Sequence, residues 1–270
     1  MSSIVTKRLE VIPMDTRSTI SKRYKNITSA INREFWNSSS DTENSLYVGS
    51  YGRGTAINTS DLDVLVCLPK DVYNRYDVMK GNGQSRLLQA VKNSITPIYP
   101  RTDIRADGQV VKVSFSDGMK FEILPAFKKS NLYYPSNSTY EYPDSNMGGN
   151  WMTTNPLAEQ DAMKKKNSNS NGLLFDTCKH IRYVRDNYFS SYHLSGIVID
   201  SFAYDAIQGW RWLNPNETGS GNSKSYEQHL YDYFCNHYSY STYIYAPGSG
   251  QNVELAKSRD CLEKVLKYMA

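Results

Sequence analysis

The apolar positions of this chain change their period along its length, from helical to strand-like and back to helical. Ile20, Tyr24, Ile27, Ile31 and Phe35 recur at helical spacing and predict an amphipathic helix ahead of the first strand. Between Ser45 and Phe127 strand patterns dominate, apart from a predicted helix near Ser85 to Ser94. Ser45 to Val48 reads as a short strand, and Leu62, Val64, Leu65, Val66 and Leu68 read as a strand buried on both faces. Val110 to Phe115 and Met119 to Leu124 flank the turn signal Ser116-Asp117-Gly118 and predict a hairpin. From Lys128 to Gly172 the sequence becomes polar, with PSNSTYEYPDSN and KKKNSNSNG, and predicts a long loop region with few core residues.

The remainder reads as helical. Leu174, Cys178, Ile181 and Val184 mark one buried stripe, leaving Lys179, Arg182 and Asp186 on another face. Ile199, Phe202, Ala203 and Ala206 mark the next, with Ser201, Tyr204, Asp205 and Gln208 opposite. Glu254 to Met269 predicts a last helix that packs through Leu255, Leu262, Val265 and Leu266. The order helix, strands, helices predicts an α+β chain, as one bilobal unit or two small domains.

Two acids accompany the doubly buried strand. Asp61 and Asp63 stand at i and i+2, so within a strand they project to the same side. Unpaired carboxylates so placed repel each other and lose hydration, and a cation relieves both problems. Mg²⁺ accepts one or two protein carboxylates and completes its shell with water and phosphate oxygens, so the pair predicts a phosphorylated ligand. Just upstream, Gly49-Ser50 with Gly52 and Gly54 lets the backbone approach such a ligand and expose its N–H groups. Ser50 can donate its hydroxyl to a phosphate oxygen, while Arg53 either adds charge or simply faces solvent. Glu122 interrupts the second arm of the hairpin between Phe121 and Ile123. It is either the third carboxylate that a two-metal transfer requires or a glutamate on a solvated strand face. An ordinary turn and a solvated strand end are the plain readings of the glycines and of the aspartates taken alone; their order and spacing together favour the chemistry.

These residues carry a resemblance. Gly49-Ser50, then Asp61-x-Asp63, then the acid in FEILPAF, is similar to the nucleotidyltransferase superfamily of DNA polymerase beta. More narrowly, GSYGRGT followed by SDLDVLV resembles the CD-NTases of anti-phage CBASS systems, the bacterial relatives of cyclic GMP-AMP synthase and oligoadenylate synthetase. RYKNITSAINREFW, WMTTNP at Trp151 to Pro156, KHIRYVR and SFAYDAI extend the likeness over most of the chain. It implies a bilobal polymerase-beta-like fold, with a mixed-sheet catalytic lobe and its preceding helix over residues 1–150 and a helical lobe over residues 151–270 closing over a nucleotide, and two Mg²⁺ or Mn²⁺ ions on Asp61, Asp63 and Glu122. It also implies that Lys179 and Ser201 hold the triphosphate tail. The implied substrates are NTPs, joined by attack of a ribose hydroxyl on the α-phosphate with loss of pyrophosphate. Ring closure, a downstream effector reached through the cyclic product, and in some members a regulatory protein or nucleic acid are implied by the resemblance alone.

Composition narrows this reading without deciding it. A chain of 270 residues can bury a sizeable core, and a formal net charge of +4 suits an anionic substrate but not a protein that coats nucleic acid. Lys164-Lys165-Lys166 is read as a solvated loop, and most of the 22 tyrosines as structural. Cys67, Cys178, Cys235 and Cys261 lack metal-binding spacing, and His180, His193, His229 and His237 lack partners at recognisable spacing. No apolar run of membrane-spanning length and no signal-peptide pattern is evident, so a cytoplasmic protein with no membrane partner is expected. The alternative function is linear nucleotidyl transfer to an RNA end, a protein or a small molecule, which needs the same three acids; an inactive nucleotide-binding scaffold would lack one of them.

Overall fold

The computed structural model describes residues 4–7, 12–57, 61–129, 139–217 and 224–270. They form two compact units, one built from the described parts of Ile12–Gly52 and Ser60–Asn155, the other from those of Met1–Val11, Arg53–Thr59 and Pro156–Ala270.

The first unit contains, in chain order, α1 (Met14–Trp36), β1 (Ser45–Tyr47), most of the short α2 (Gly49–Arg53), β2 (Leu62–Cys67), α3 (Lys70–Asp77), α4 (Gly83–Ile95), β3 (Asp103–Asp107), β4 (Val110–Ser114), β5 (Lys120–Lys129), β6 (Thr139–Asp144) and β7 (Asn150–Thr154). The strand order is β1-β2-β5-β4-β3, and the far end of the long β5 also pairs with β6, which pairs with β7. β2 runs parallel to β5, and every other pairing is antiparallel. The mixed sheet is the one the resemblance implies. One face of β2, β4 and β5 presents Val64, Val66, Val111, Val113, Phe121 and Ile123 to the apolar stripes of α1 (Ile20, Tyr24, Ile27, Ile31) and α4 (Leu87, Leu88, Val91, Ile95). On the other face Leu65 and Ala126 pack with Val48 and Tyr140. Because side chains alternate along a strand, Asp63 falls on the Leu65 face and Glu122 on the Leu124 face.

The second unit is mainly helical: α5 (Pro156–Asn169), α6 (Leu173–Tyr188), α7 (Gly196–Ala206), α8 (Tyr226–His237), the hairpin β8 (Tyr243–Tyr245) and β9 (Asn252–Glu254), and α9 (Arg259–Met269). Its core gathers Leu174, Cys178, Ile181 and Val184 of α6, Ile199, Phe202 and Ala203 of α7, and Leu262, Val265 and Leu266 of α9.

Several expectations are corrected. The polar stretch from Lys128 to Gly172 is not a continuous loop: β6, β7 and α5 occupy most of it, and residues 130–138 lie outside the described residues. Lys164, Lys165 and Lys166 sit on α5, a helix that opens on Pro156 and buries Met163. α3 is a helix inside the stretch expected to be mainly strands, and the last helix begins at Arg259 because Asn252–Glu254 is taken into β9.

Candidate active site

The turn that ends β1 places Gly49 at φ +58°, a left-handed conformation open to glycine. A Cβ added there would stand 1.8 Å from Asp63 Oδ2, so the missing side chain is what lets the carboxylate pack against this turn. Behind it, the Val48 N–H donates to the Asp63 carbonyl at 2.9 Å and β1 pairs with β2 through Tyr47 and Val64. Gly49 and Ser50 open the short α2 rather than an irregular turn, and both are half-buried.

Asp63 and Glu122 are register partners across the parallel β2–β5 pair. Neighbouring positions in a sheet share a face, so the two acids, far apart in sequence, stand side by side. Asp61 is different. β2 begins at Leu62, so Asp61 precedes the strand and is exposed, and the strand alternation that was to align it with Asp63 does not extend to it. Among the described residues no group of three or more His, Cys, Asp or Glu side chains is set to hold a metal ion, so the expected three-acid cluster is not assembled.

Beside Glu122 there is nonetheless a cationic side chain. Lys112 of β4 pairs in register with Glu122, and its Nζ lies 3.7 Å from Glu122 Oε1 and 2.7 Å from Asp107 Oδ2. The hydrogen bond to Asp107 raises the lysine's pKa, and the charge of Glu122 adds to the effect. An ammonium standing beside Glu122, with the hard oxygen donors of Glu122 and Asp63 on adjacent strands, fits a small divalent cation. Lys112 escaped the sequence reading, although the hairpin turn at Ser116-Asp117-Gly118 fixes the register that sets it opposite Glu122.

The remaining candidates belong to the helical unit. Arg53 neither faces solvent nor points free charge at a ligand. It is 6% exposed, and its guanidinium donates to Asp200 Oδ2 at 2.8 Å and to Glu159 Oε2 at 2.9 Å. Arg182, expected on a polar face, is 1% exposed and grips the same Asp200 from the other side at 2.7 and 2.9 Å, and Thr55 adds a hydroxyl at 3.0 Å. A buried charge demands partners of this kind, and four charges in balance meet the demand. Burial pushes the Asp200 carboxyl up, but Arg182 and Arg53 overcome it and hold the pKa below its usual 3.8. For Glu159, with one arginine, burial prevails and the pKa rises.

Lys179 is half-buried on α6. Ser201 also departs from expectation: it is 1% exposed rather than on an outer polar face, and its hydroxyl has no hydrogen-bond partner among the described residues. His180 is buried, its Nδ1 is likewise unpartnered, and burial lowers its pKa. Among the described residues no helix is long and apolar enough to cross a membrane.

Solved structures of similar fold agree with this architecture. The structure of Rhodothermus marinus CdnE c-UMP-AMP synthase with Apcpp and Upnpp superposes with a TM-score of 0.64 at 15% identity, covering 93% of this chain and 90% of that one. Bradyrhizobium diazoefficiens CD-NTase CdnG in complex with GTP gives 0.62 at 11% identity, over 96% and 83%. The E. coli MS115-1 CdnC:HORMA-deltaN complex gives 0.57 at 13% identity, over 95% and 84%. No curated protein matches the chain. Residues 1–167, more than half of the chain, match the Second Messenger Oligonucleotide or Dinucleotide Synthetase domain, and the chain therefore belongs to this SMODS family of nucleotidyltransferases.

Proposed function

We propose that this nucleotidyltransferase joins NTPs into a cyclic di- or oligonucleotide that signals to a downstream effector in anti-phage defence. The observation that carries the reading is the parallel register of Asp63 and Glu122 beside the Gly49-Ser50 turn, in a chain of this family. Asp63 and Glu122, joined by Asp61, would hold the divalent cations, which when bound lower the pKa of the attacking ribose hydroxyl and neutralise charge on the α-phosphate. The chain's own groups do the positioning. Gly49 keeps Asp63 drawn in against the turn, and Ser50 offers its hydroxyl to a phosphate oxygen. Lys179 supplies a mobile point charge for the triphosphate. A buried hydroxyl without a partner is costly, and a phosphate oxygen accepting from Ser201 would remove that cost.

The nucleotides named with the CdnE and CdnG structures support NTPs as substrates, and the CdnC complex supports a regulatory protein as a partner of this chain. The test is incubation of the purified chain with NTPs singly and in pairs, with Mg²⁺ or Mn²⁺, followed by phosphatase treatment and mass spectrometry. A phosphatase-resistant cyclic product is expected. Linear, phosphatase-sensitive products alone overturn the cyclic reading.

A further inference from the structure

Strand register carries one row of charge across the sheet. Asp63 of β2 is paired with Glu122 of β5, Glu122 with Lys112 of β4, and Lys112 with Arg105 of β3. Two acids are thus followed by two bases on one face. Arg105 is engaged by Asp103 at 2.8 Å and its side chain is 75% exposed, so Lys112 is the base that reaches Glu122.

Lys112 sits between two carboxylates at unequal distances, 2.7 Å from Asp107 and 3.7 Å from Glu122. The nearer one holds the ammonium by a hydrogen bond; the farther one feels it mainly as charge. A positive charge so close to Glu122 offsets the repulsion between Glu122 and Asp63, and it opposes a second cation arriving at the same oxygens. Asp107 gives the ammonium a second anchor, so the lysine can yield Glu122 without losing every partner.

We propose that Lys112 is a built-in counter-cation for Glu122, which divalent metal must displace and which Asp107 retains once the metal has entered. Lys112 is in this role a positioning residue, acting through Glu122, and the inference rests on reading Asp63 and Glu122 as metal ligands. It sets the affinity of Asp63 and Glu122 for free metal, a quantity that can be measured without turnover.

The experiment is titration of the nucleotide-free protein with Mn²⁺, followed by the electron paramagnetic resonance signal of the unbound ion, for wild type, Lys112→Met, Lys112→Arg and Asp63→Asn. Lys112→Met is expected to bind Mn²⁺ about two- to fivefold more tightly, the range expected for a partly exposed ion pair. Lys112→Arg, which keeps the charge, is expected to bind as wild type does. Unchanged or weaker Mn²⁺ binding in Lys112→Met overturns the proposal, as does tightening by the same amount in Lys112→Arg. Asp63→Asn keeps the two readings separate: Mn²⁺ affinity equal to wild type in this variant defeats the ligand assignment itself, whatever Lys112 does.

Discussion

At Gly49 the backbone and the neighbouring carboxylate both exclude a side chain. The positive φ of +58° costs an alanine about 1–2 kcal/mol. Its Cβ would also fall 1.8 Å from Asp63 Oδ2, so the carboxylate must move. Gly49→Ala is therefore expected to reduce turnover about a hundredfold or more, as displacements of an ångström do at a reacting centre, with circular dichroism unchanged. Asp63→Asn should remove turnover altogether and leave the melting temperature close to wild type; full activity in this variant would refute its role at the reacting phosphate. At this scale the sequence was legible where the signal is local. Gly49, Ser50 and Asp63 lie within one short span, and Glu122 stands out as an acid in an apolar strand. Arg53 was not legible, because its partner Asp200 lies 147 positions away and nothing near Arg53 announces it. Ser201 was assigned to the wrong side of its helix because a small hydroxyl is compatible with either environment.

Helices with a clean apolar stripe were foreseeable from the chain: α1, α4, α6 and α7 follow the periodicity of their buried residues. α5 was not, since its polar run KKKNSN carries no stripe, and of its larger apolar residues Met163 is buried while Leu157 is 39% exposed. What seats this helix is in part electrostatic, through Glu159 and its bond to Arg53. α7 contributes Asp200 to the same cluster and α6 contributes Arg182. Removing the shared acid leaves two guanidinium groups buried without it. Asp200→Ala should then cost about 3–5 kcal/mol, measured as a loss of unfolding free energy in urea. Glu159→Gln, which leaves the two arginines bound to Asp200, should cost distinctly less. Equal losses in the two variants would deny Asp200 its place as the hub.

For the molecule as a whole the same acid sets a response to pH. The folded pKa of Asp200 lies below its usual 3.8, so its ionised form contributes stability that is complete above that pH and is lost as pH falls through the folded value. Below pH 3.8 the unfolding free energy of wild type should therefore fall more steeply than that of Asp200→Asn, as followed by urea titrations at successive pH values. Trp210 and Trp212 lie in the helical unit and Trp36 and Trp151 in the sheet unit, so single-tryptophan variants can report which of the two responds. The order α, β, α was readable from periodicity, but the membership of the units was not. Arg53 to Ile57 group with helices that begin a hundred residues later, through contacts no local pattern encodes. That membership bears on how such proteins can be shuffled. A crossover after Asn155 that exchanged the tail between two related genes would hand an inherited Arg53 a foreign Asp200 and Glu159, so viable chimaeras should come from parents that agree at these three sites, or from breakpoints that carry the short upstream segment along with the tail.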